Sequence, residues 1–82
     1  MDLQERFLTA VFHATDGSPY RQASGRGIGA DMGLDEPDTE ALVHELLVQG
    51  LVRRTGTPLS LQLTDAGLRA VRAARTRRTE EH

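Results

Sequence analysis

The sequence predicts a mainly helical domain that carries a small β-hairpin. Apolar residues recur every three to four positions over residues 2–15 and 36–49, which is the spacing of amphipathic helices. Over residues 59–64 the period changes to two, which is typical of a strand. The 82 residues suffice for one domain at most, so residues 1–82 are expected to form a single domain, with residues 76–82 as a disordered tail.

The first predicted helix covers residues 2–15 and has an apolar stripe along one side. The stripe consists of Leu3, Phe7, Val11 and Ala14. Residues 20–24, which follow the helix, are expected to form a connector.

The segment from Gly25 to Met32 is a poor helix by composition, because each glycine costs about 1 kcal/mol relative to alanine. Its two large apolar residues, Ile28 and Met32, are four positions apart and therefore share one face. Gly33 supplies a left-handed residue after this segment, and Leu34 returns the chain to the core.

The third predicted helix, residues 36–49, has the most regular apolar face in the chain. Either Asp35 or Glu36 is suited to cap its first turn. The apolar face is formed by Leu42, Val43, Leu46 and Leu47.

Residues 51–54 and 59–64 are predicted to pair as a hairpin around a turn at residues 55–58. Thr64 is placed to cap a last helix. The side chains expected to be buried on one face of the hairpin are Leu59, Leu61 and Leu63. The inner stripe of the last helix is formed by Leu68, Val71 and Ala74.

A short helix, a glycine turn, a longer helix and a hairpin make up a helix-turn-helix with a wing attached. Two helices that cross at roughly 90–120° through a short turn need a very small residue at their contact. Gly29 meets this need, and we expect the segment that carries Leu42 and Leu46 to lie across it.

Four short motifs lie along this part of the chain, and they are Ile28-Gly29, Gly33-Leu34, Gly50-Leu51-Val52 and Leu63-Thr64-Asp65-Ala66-Gly67. In these motifs and their order, the sequence resembles winged helix-turn-helix proteins of the bacterial transcription-regulator kind, which include the multiple-antibiotic-resistance repressor type. The resemblance covers about residues 20–70. It implies a helix-helix-helix-strand-strand-helix fold, double-stranded DNA as the partner and a role in transcription regulation.

In DNA-binding members of this family, the exposed face of the third helix enters the major groove. Glu40 and His44 lie on the matching face, and Glu40 could accept a hydrogen bond from a cytosine amino group. Nearby acids would repel the phosphates, however, and the sequence departs from the family pattern at this helix. These acids are Asp35, Glu36, Asp38 and Glu40.

Other candidate DNA contacts come from outside the third helix. Arg53 and Arg54 are predicted at the base of the wing, and Thr55 is predicted at its tip. Arg21 and Arg26 precede or open the second helix, whose amino end is suited to meet a phosphate.

Charge is unevenly distributed along the chain, which has ten arginines, no lysine and twelve acids. Residues 1–50 carry a net charge of −6 and residues 51–82 a net charge of +4. Two hypotheses therefore stay open. The first is a DNA-binding regulator that forms a homodimer through its first and last helices. The second is a winged-helix interaction module whose acidic third helix docks a basic protein, or whose hairpin edge accepts a strand.

The sequence also makes several function classes improbable. Without cysteine, the chain has no disulfide, thiolate metal site or cysteine nucleophile. Residues 25–30 fit a dinucleotide-binding glycine pattern by letter, but no strand is predicted before them and the chain is too short for that fold. No apolar run approaches the roughly 18 residues of a membrane span. We expect no metal, no cofactor, no enzymatic activity and a cytoplasmic location.

Overall fold

A computed structural model describes residues 3–18, 20–56 and 59–80, and these residues form four helices packed on a three-stranded antiparallel sheet. This is the mainly helical, winged layout that the sequence predicts. The elements in chain order are α1 (Leu3–Ala14), β1 (Ala23–Ser24), α2 (Gly25–Asp31), α3 (Glu36–Val48), β2 (Val52–Arg54), β3 (Ser60–Leu63) and α4 (Asp65–Glu80).

The sheet has the strand order β1–β3–β2. Strands β2 and β3 form the predicted hairpin, with Val52 opposite Leu63 and Arg54 opposite Leu61. We call these two strands and the turn between them the wing. Of the predicted turn at residues 55–58, positions 57 and 58 lie outside the described residues.

Strand β1 corrects the prediction that residues 20–24 form a connector. Ala23 pairs with Leu61, and Ser24 pairs with Ser60. Two residues are too few to show an alternating pattern, so the periodicity of the sequence gives no sign of this strand. The wing is therefore part of a three-stranded sheet and not an isolated hairpin.

The wing turn ends in a residue that is fixed to the start of α2. Leu59 is predicted as the first strand residue, but β3 begins at Ser60, and Leu59 adopts a left-handed φ of 64° that is uncommon outside glycine. Its side chain is buried as expected, with 4% exposed. Its carbonyl accepts a hydrogen bond from the backbone N–H of Gly25 at 2.7 Å.

Helices α2 and α3 meet at Gly29, as the steric argument predicts. Gly29 is buried, and a Cβ atom there would lie 2.7 Å from Cγ2 and 2.9 Å from Cβ of Thr39, besides striking the Thr39 hydroxyl. Thr39 belongs to α3, one turn before Leu42, and its hydroxyl donates to the carbonyl of Asp35 at 2.8 Å. Gly33 makes the turn between the helices with the expected left-handed φ of 80°.

The helix caps follow the predicted signals. Asp35 is the cap of α3, and its carboxylate accepts a hydrogen bond from the backbone N–H of Asp38 at 3.0 Å. The hydroxyl of Thr64 accepts from the N–H of Gly67 at 3.0 Å, which caps the start of α4.

A second close approach, at Gly67, is not predicted from the sequence. A Cβ atom on Gly67 would strike the carbonyl oxygen of Leu51 and lie 3.0 Å from its carbonyl carbon. The first turn of α4 therefore rests directly on the backbone that leads into β2. A side chain at this position would have to push two backbone segments apart.

The core lies between the helices and the inner face of the sheet. The ends of the predicted stripe on α1, Leu3 and Ala14, are exposed, while its centre is buried. The side chains with almost no exposure include Phe7, Val11, Val43, Leu46, Leu61, Leu63 and Val71.

Helix α4 extends into the region predicted as a disordered tail. Its backbone is helical to Glu80, whereas residues 81 and 82 lie outside the described residues. Disorder of residues 76–82 stays a prediction for measurement in solution.

Candidate nucleic-acid interface

Arg53 lies on the outer face of the wing. Its neighbour Val52 is buried opposite Leu63, and side chains alternate along a strand, so Arg53 and its partner Gln62 point to the opposite face. The Nε of Arg53 donates to Oε1 of Gln62 at 3.2 Å. This bond orients the guanidinium and leaves most of its N–H groups for a ligand.

Hydrogen bonds connect this face to the segment that precedes β1. The amide nitrogen of Gln62 donates to the carbonyl of Tyr20 at 3.2 Å, and the hydroxyl of Ser60 donates to Oε1 of Gln22 at 2.9 Å. We call Tyr20, Gln22, Arg53, Ser60 and Gln62 the outer sheet face. The structure thus brings the wing together with residues 20–22.

Arg54 and Thr55 lead into the wing turn. Arg54 is exposed, and within the described part of the chain its guanidinium makes no hydrogen bond or ion pair. The backbone N–H of Thr55 donates to the carbonyl of Ser60 at 2.9 Å, and its hydroxyl lies 3.2 Å from the Ser60 hydroxyl. Arg54 is therefore an available cation, whereas Thr55 is held within the wing.

Arg21 lies next to Tyr20 and forms an ion pair with Asp16. The distance between Nη1 of Arg21 and Oδ2 of Asp16 is 3.2 Å, and both side chains are largely exposed. Exposed pairs of this kind are worth about 0–1 kcal/mol, so a phosphate can compete for the guanidinium. Arg21 therefore remains a candidate contact beside the outer sheet face.

Arg26 is placed between the wing and α3. It follows Gly25, which is bonded to the wing at Leu59, and its Nη2 lies 2.8 Å from Oε1 of Glu36. Both side chains are more than half exposed, at 68% and 58%. Arg26, which is predicted from the sequence to contact a phosphate, is thus paired with a carboxylate of α3.

The exposed surface of α3 is acidic. The helix, all of which is described, contains no lysine or arginine. Both predicted contact residues on it, Glu40 and His44, are exposed. Phosphate repulsion therefore works against insertion of this helix into a DNA groove. The acids of α3 are Glu36, Asp38, Glu40 and Glu45.

Three arginines of α4 have described side chains, and these three divide into two kinds. Arg69 and Arg72 are exposed on one side of the helix. The guanidinium of Arg75 lies 5.6 Å from the ring centre of Phe12, which is a cation–π contact between α4 and α1. Arg75 therefore contributes to packing, and Arg69 and Arg72 form a solvated basic face.

A groove of about 240 Å³ lies between α1, the end of α3 and α4. Leu8, Leu46 and Val71 contribute to its apolar floor, and Gln4 and Gln49 on its rim are hydrogen-bonded to each other at 2.8 Å. The groove lies on the two helices through which the sequence predicts a homodimer. The dimer itself stays a prediction.

Sequence reasoning missed Tyr20 and Gln62. The hydrogen bonds that join Gln22 and Tyr20 to the wing link positions 38 and 42 residues apart in the chain. Neither Tyr20 nor Gln62 carries a charge or belongs to a motif, so no local pattern marks them. Only the pairing of β1 with β3 brings them together.

The described residues contain no group of three or more histidine and acidic side chains arranged to hold a metal ion. They also contain no helix of the length and apolar character needed to cross a membrane.

In comparisons with known proteins, the chain matches no family model, no curated protein and no solved structure.

Proposed function

We propose that this protein is a winged-helix DNA-binding protein, and a transcriptional regulator, that holds the phosphate backbone mainly through its wing. The observation that carries the proposal is the pair of exposed arginines on β2, Arg53 and Arg54. Gln62 orients the first, and the second has no partner in the described part of the chain. Arg21 adds a third cation beside the outer sheet face.

In this proposal, α3 contributes little to affinity. Specific base contacts usually come from arginine, lysine, asparagine or glutamine, and the exposed face of α3 offers mainly carboxylates. The protein is therefore expected to bind DNA largely through charge, with a steep dependence on salt and modest sequence preference.

The test is fluorescence anisotropy of a labelled DNA duplex, titrated with protein at several salt concentrations. The double variant Arg53→Ala/Arg54→Ala should bind more weakly, and its salt slope should fall by about one for each phosphate that the variant no longer neutralises. The matched control is Arg69→Ala/Arg72→Ala, which removes the same charge from the exposed side of α4.

The two double variants separate binding by the wing from general electrostatic attraction. A larger decrease in affinity for the wing pair supports the proposal. Equal decreases for both pairs, or an unchanged titration for the wing pair, would contradict it.

The acidic surface of α3 favours a second candidate function, a module that docks a basic protein segment. Among the described residues, Glu36 is the one of its four carboxylates that forms an ion pair, and its partner is Arg26. A synthetic arginine-rich peptide should then bind the wild type and bind Glu36→Lys/Glu40→Lys more weakly. The wing pair variant serves as the control, because its substitutions leave α3 unchanged. Equal peptide binding by the wild type and the lysine variant would exclude this candidate.

A further inference from the structure

Tyr20 is the most exposed large apolar side chain among the described residues, with 86% of its surface accessible. It is the only tyrosine in the chain, which contains no tryptophan. A single exposed apolar residue is common on protein surfaces. The surroundings of Tyr20 are what give its exposure significance.

The backbone of Tyr20 is held on both sides. Its N–H donates to the hydroxyl of Ser18 at 3.2 Å, and its carbonyl accepts from the amide nitrogen of Gln62 at 3.2 Å. The same Gln62 side chain accepts from Arg53 through its oxygen. One glutamine therefore positions both an exposed aromatic residue and an exposed cation.

The charged residues that the chain and these hydrogen bonds connect to Tyr20 are two arginines and one acid, so their net charge is positive. Arg21 is its neighbour in the chain, and Arg53 shares Gln62 with it. The acid bonded to this segment is Asp16, which is paired with Arg21. An anionic ligand with flat apolar groups matches this combination of a ring and guanidinium groups.

We propose that Tyr20 stacks against an unpaired base of DNA while Arg53 and its neighbours contact the adjacent phosphates. Aromatic rings on positively charged surfaces bind single strands in this way, and every base offers a face for stacking. Bases within a continuous duplex already stack on each other, so the contact requires an unpaired position. This inference rests on the proposed DNA-binding function and adds a preference for single-stranded segments.

The first test uses the emission of Tyr20, which no other tyrosine or tryptophan obscures. The full protein is titrated with a single-stranded thymidine oligonucleotide and, separately, with an abasic strand of the same length. Both ligands carry phosphates, but only the first carries bases. The thymidine strand should quench the emission, and the abasic strand should leave it nearly unchanged.

The second test measures the affinity of variants by anisotropy. Tyr20→Leu should bind the thymidine strand about tenfold more weakly, whereas Tyr20→Phe should bind like the wild type because it keeps a ring. Val48→Ala is the matched control, since Val48 is another exposed apolar residue, at 73%, on a different element. Circular dichroism verifies that each variant is folded.

The results distinguish this inference from the function on which it rests. If Tyr20→Leu binds the thymidine strand as tightly as the wild type, or if the emission is not quenched, stacking is excluded. DNA binding that still depends on Arg53 and Arg54 would then leave the proposed function standing. If the wild type binds neither strand nor duplex, both proposals fail together.

Discussion

Gly29 of α2 lies directly against Thr39 of α3, and the two helices approach so closely that no β-carbon fits at position 29. The opposing atoms belong to a buried, β-branched side chain. Its hydroxyl is also engaged with the carbonyl of Asp35. Thr39 therefore has little freedom to move aside.

The variant Gly29→Ala should be less stable than the wild type despite the better helix propensity of alanine. Overpacking of a core costs about 1–3 kcal/mol, and the propensity gain offsets about 1 kcal/mol of this. Gly27→Ala is the control, because a Cβ atom there lies 3.4 Å from the Ser24 hydroxyl, an ordinary contact. Urea denaturation should show Gly27→Ala to be as stable as the wild type or slightly more stable.

A double-mutant cycle identifies the opposing side chain. Thr39→Ala removes two of the three atoms that a Cβ at position 29 would strike. Gly29→Ala should therefore cost less in the Thr39→Ala background than in the wild type. Equal costs in both backgrounds would contradict the assignment of Thr39 as the side chain that the added methyl group strikes.

Gly67→Ala should destabilise the protein more than Gly29→Ala. The obstacle at position 67 is the backbone carbonyl of Leu51, which cannot rotate away as a side chain can. A decrease of about 2 kcal/mol or more in the free energy of unfolding is expected, measured by the same denaturation experiment. A decrease smaller than that of Gly29→Ala would contradict a direct contact between α4 at Gly67 and the backbone carbonyl of Leu51.

Gln62→Ala should weaken DNA binding although Gln62 carries no charge. The substitution releases Arg53 and the carbonyl of Tyr20 at the same time, so the guanidinium is no longer oriented. We expect affinity for a continuous duplex, which offers Tyr20 no unpaired base, to fall about two- to fivefold in anisotropy titrations. It should fall little further when Gln62→Ala is added to Arg53→Ala. Gln4→Ala is the control, since Gln4 is also hydrogen-bonded but lies on α1. Additive effects in the double variant would contradict the positioning role.

Glu36→Gln should increase affinity for DNA. The change removes the carboxylate that neutralises Arg26, which lies next to the residue that anchors the wing turn. An exposed pair is worth up to about 1 kcal/mol, which corresponds to an increase of about two- to fivefold. Glu45→Gln removes the same charge from the last turns of α3 and should have a smaller effect. Equal effects would indicate a response to net charge alone.

Much of the fold is predictable because its determinants are local in sequence. The apolar period over residues 36–49 identifies α3, and Asp35 and Gly33 are recognisable as its cap and the preceding turn. Gly29 is predictable for a different reason, since a helix-turn-helix requires a small residue at that spacing. Its actual contact, Thr39, is a polar residue that helical periodicity does not select for the core.

The candidate site is predictable only in part. Arg53 and Arg54 are recognisable from charge and from their position on a predicted strand. The residues that orient and flank them depend on the pairing of β1 with β3, which joins segments about 40 positions apart. The ion pair between Arg26 and Glu36 likewise depends on the crossing of two helices. The sequence shows that both charges are present but does not show that they pair.

The burial of Leu59 has a consequence for the kinetics of any encounter with DNA. Because this residue and the bond from Gly25 hold the start of β3 against α2, this part of the wing has little conformational entropy to lose when it docks. Association should accordingly be governed by diffusion and long-range attraction, with rate constants that fall as ionic strength rises. If the wing instead became ordered only on binding, stopped-flow traces would contain a slow phase whose rate does not depend on salt.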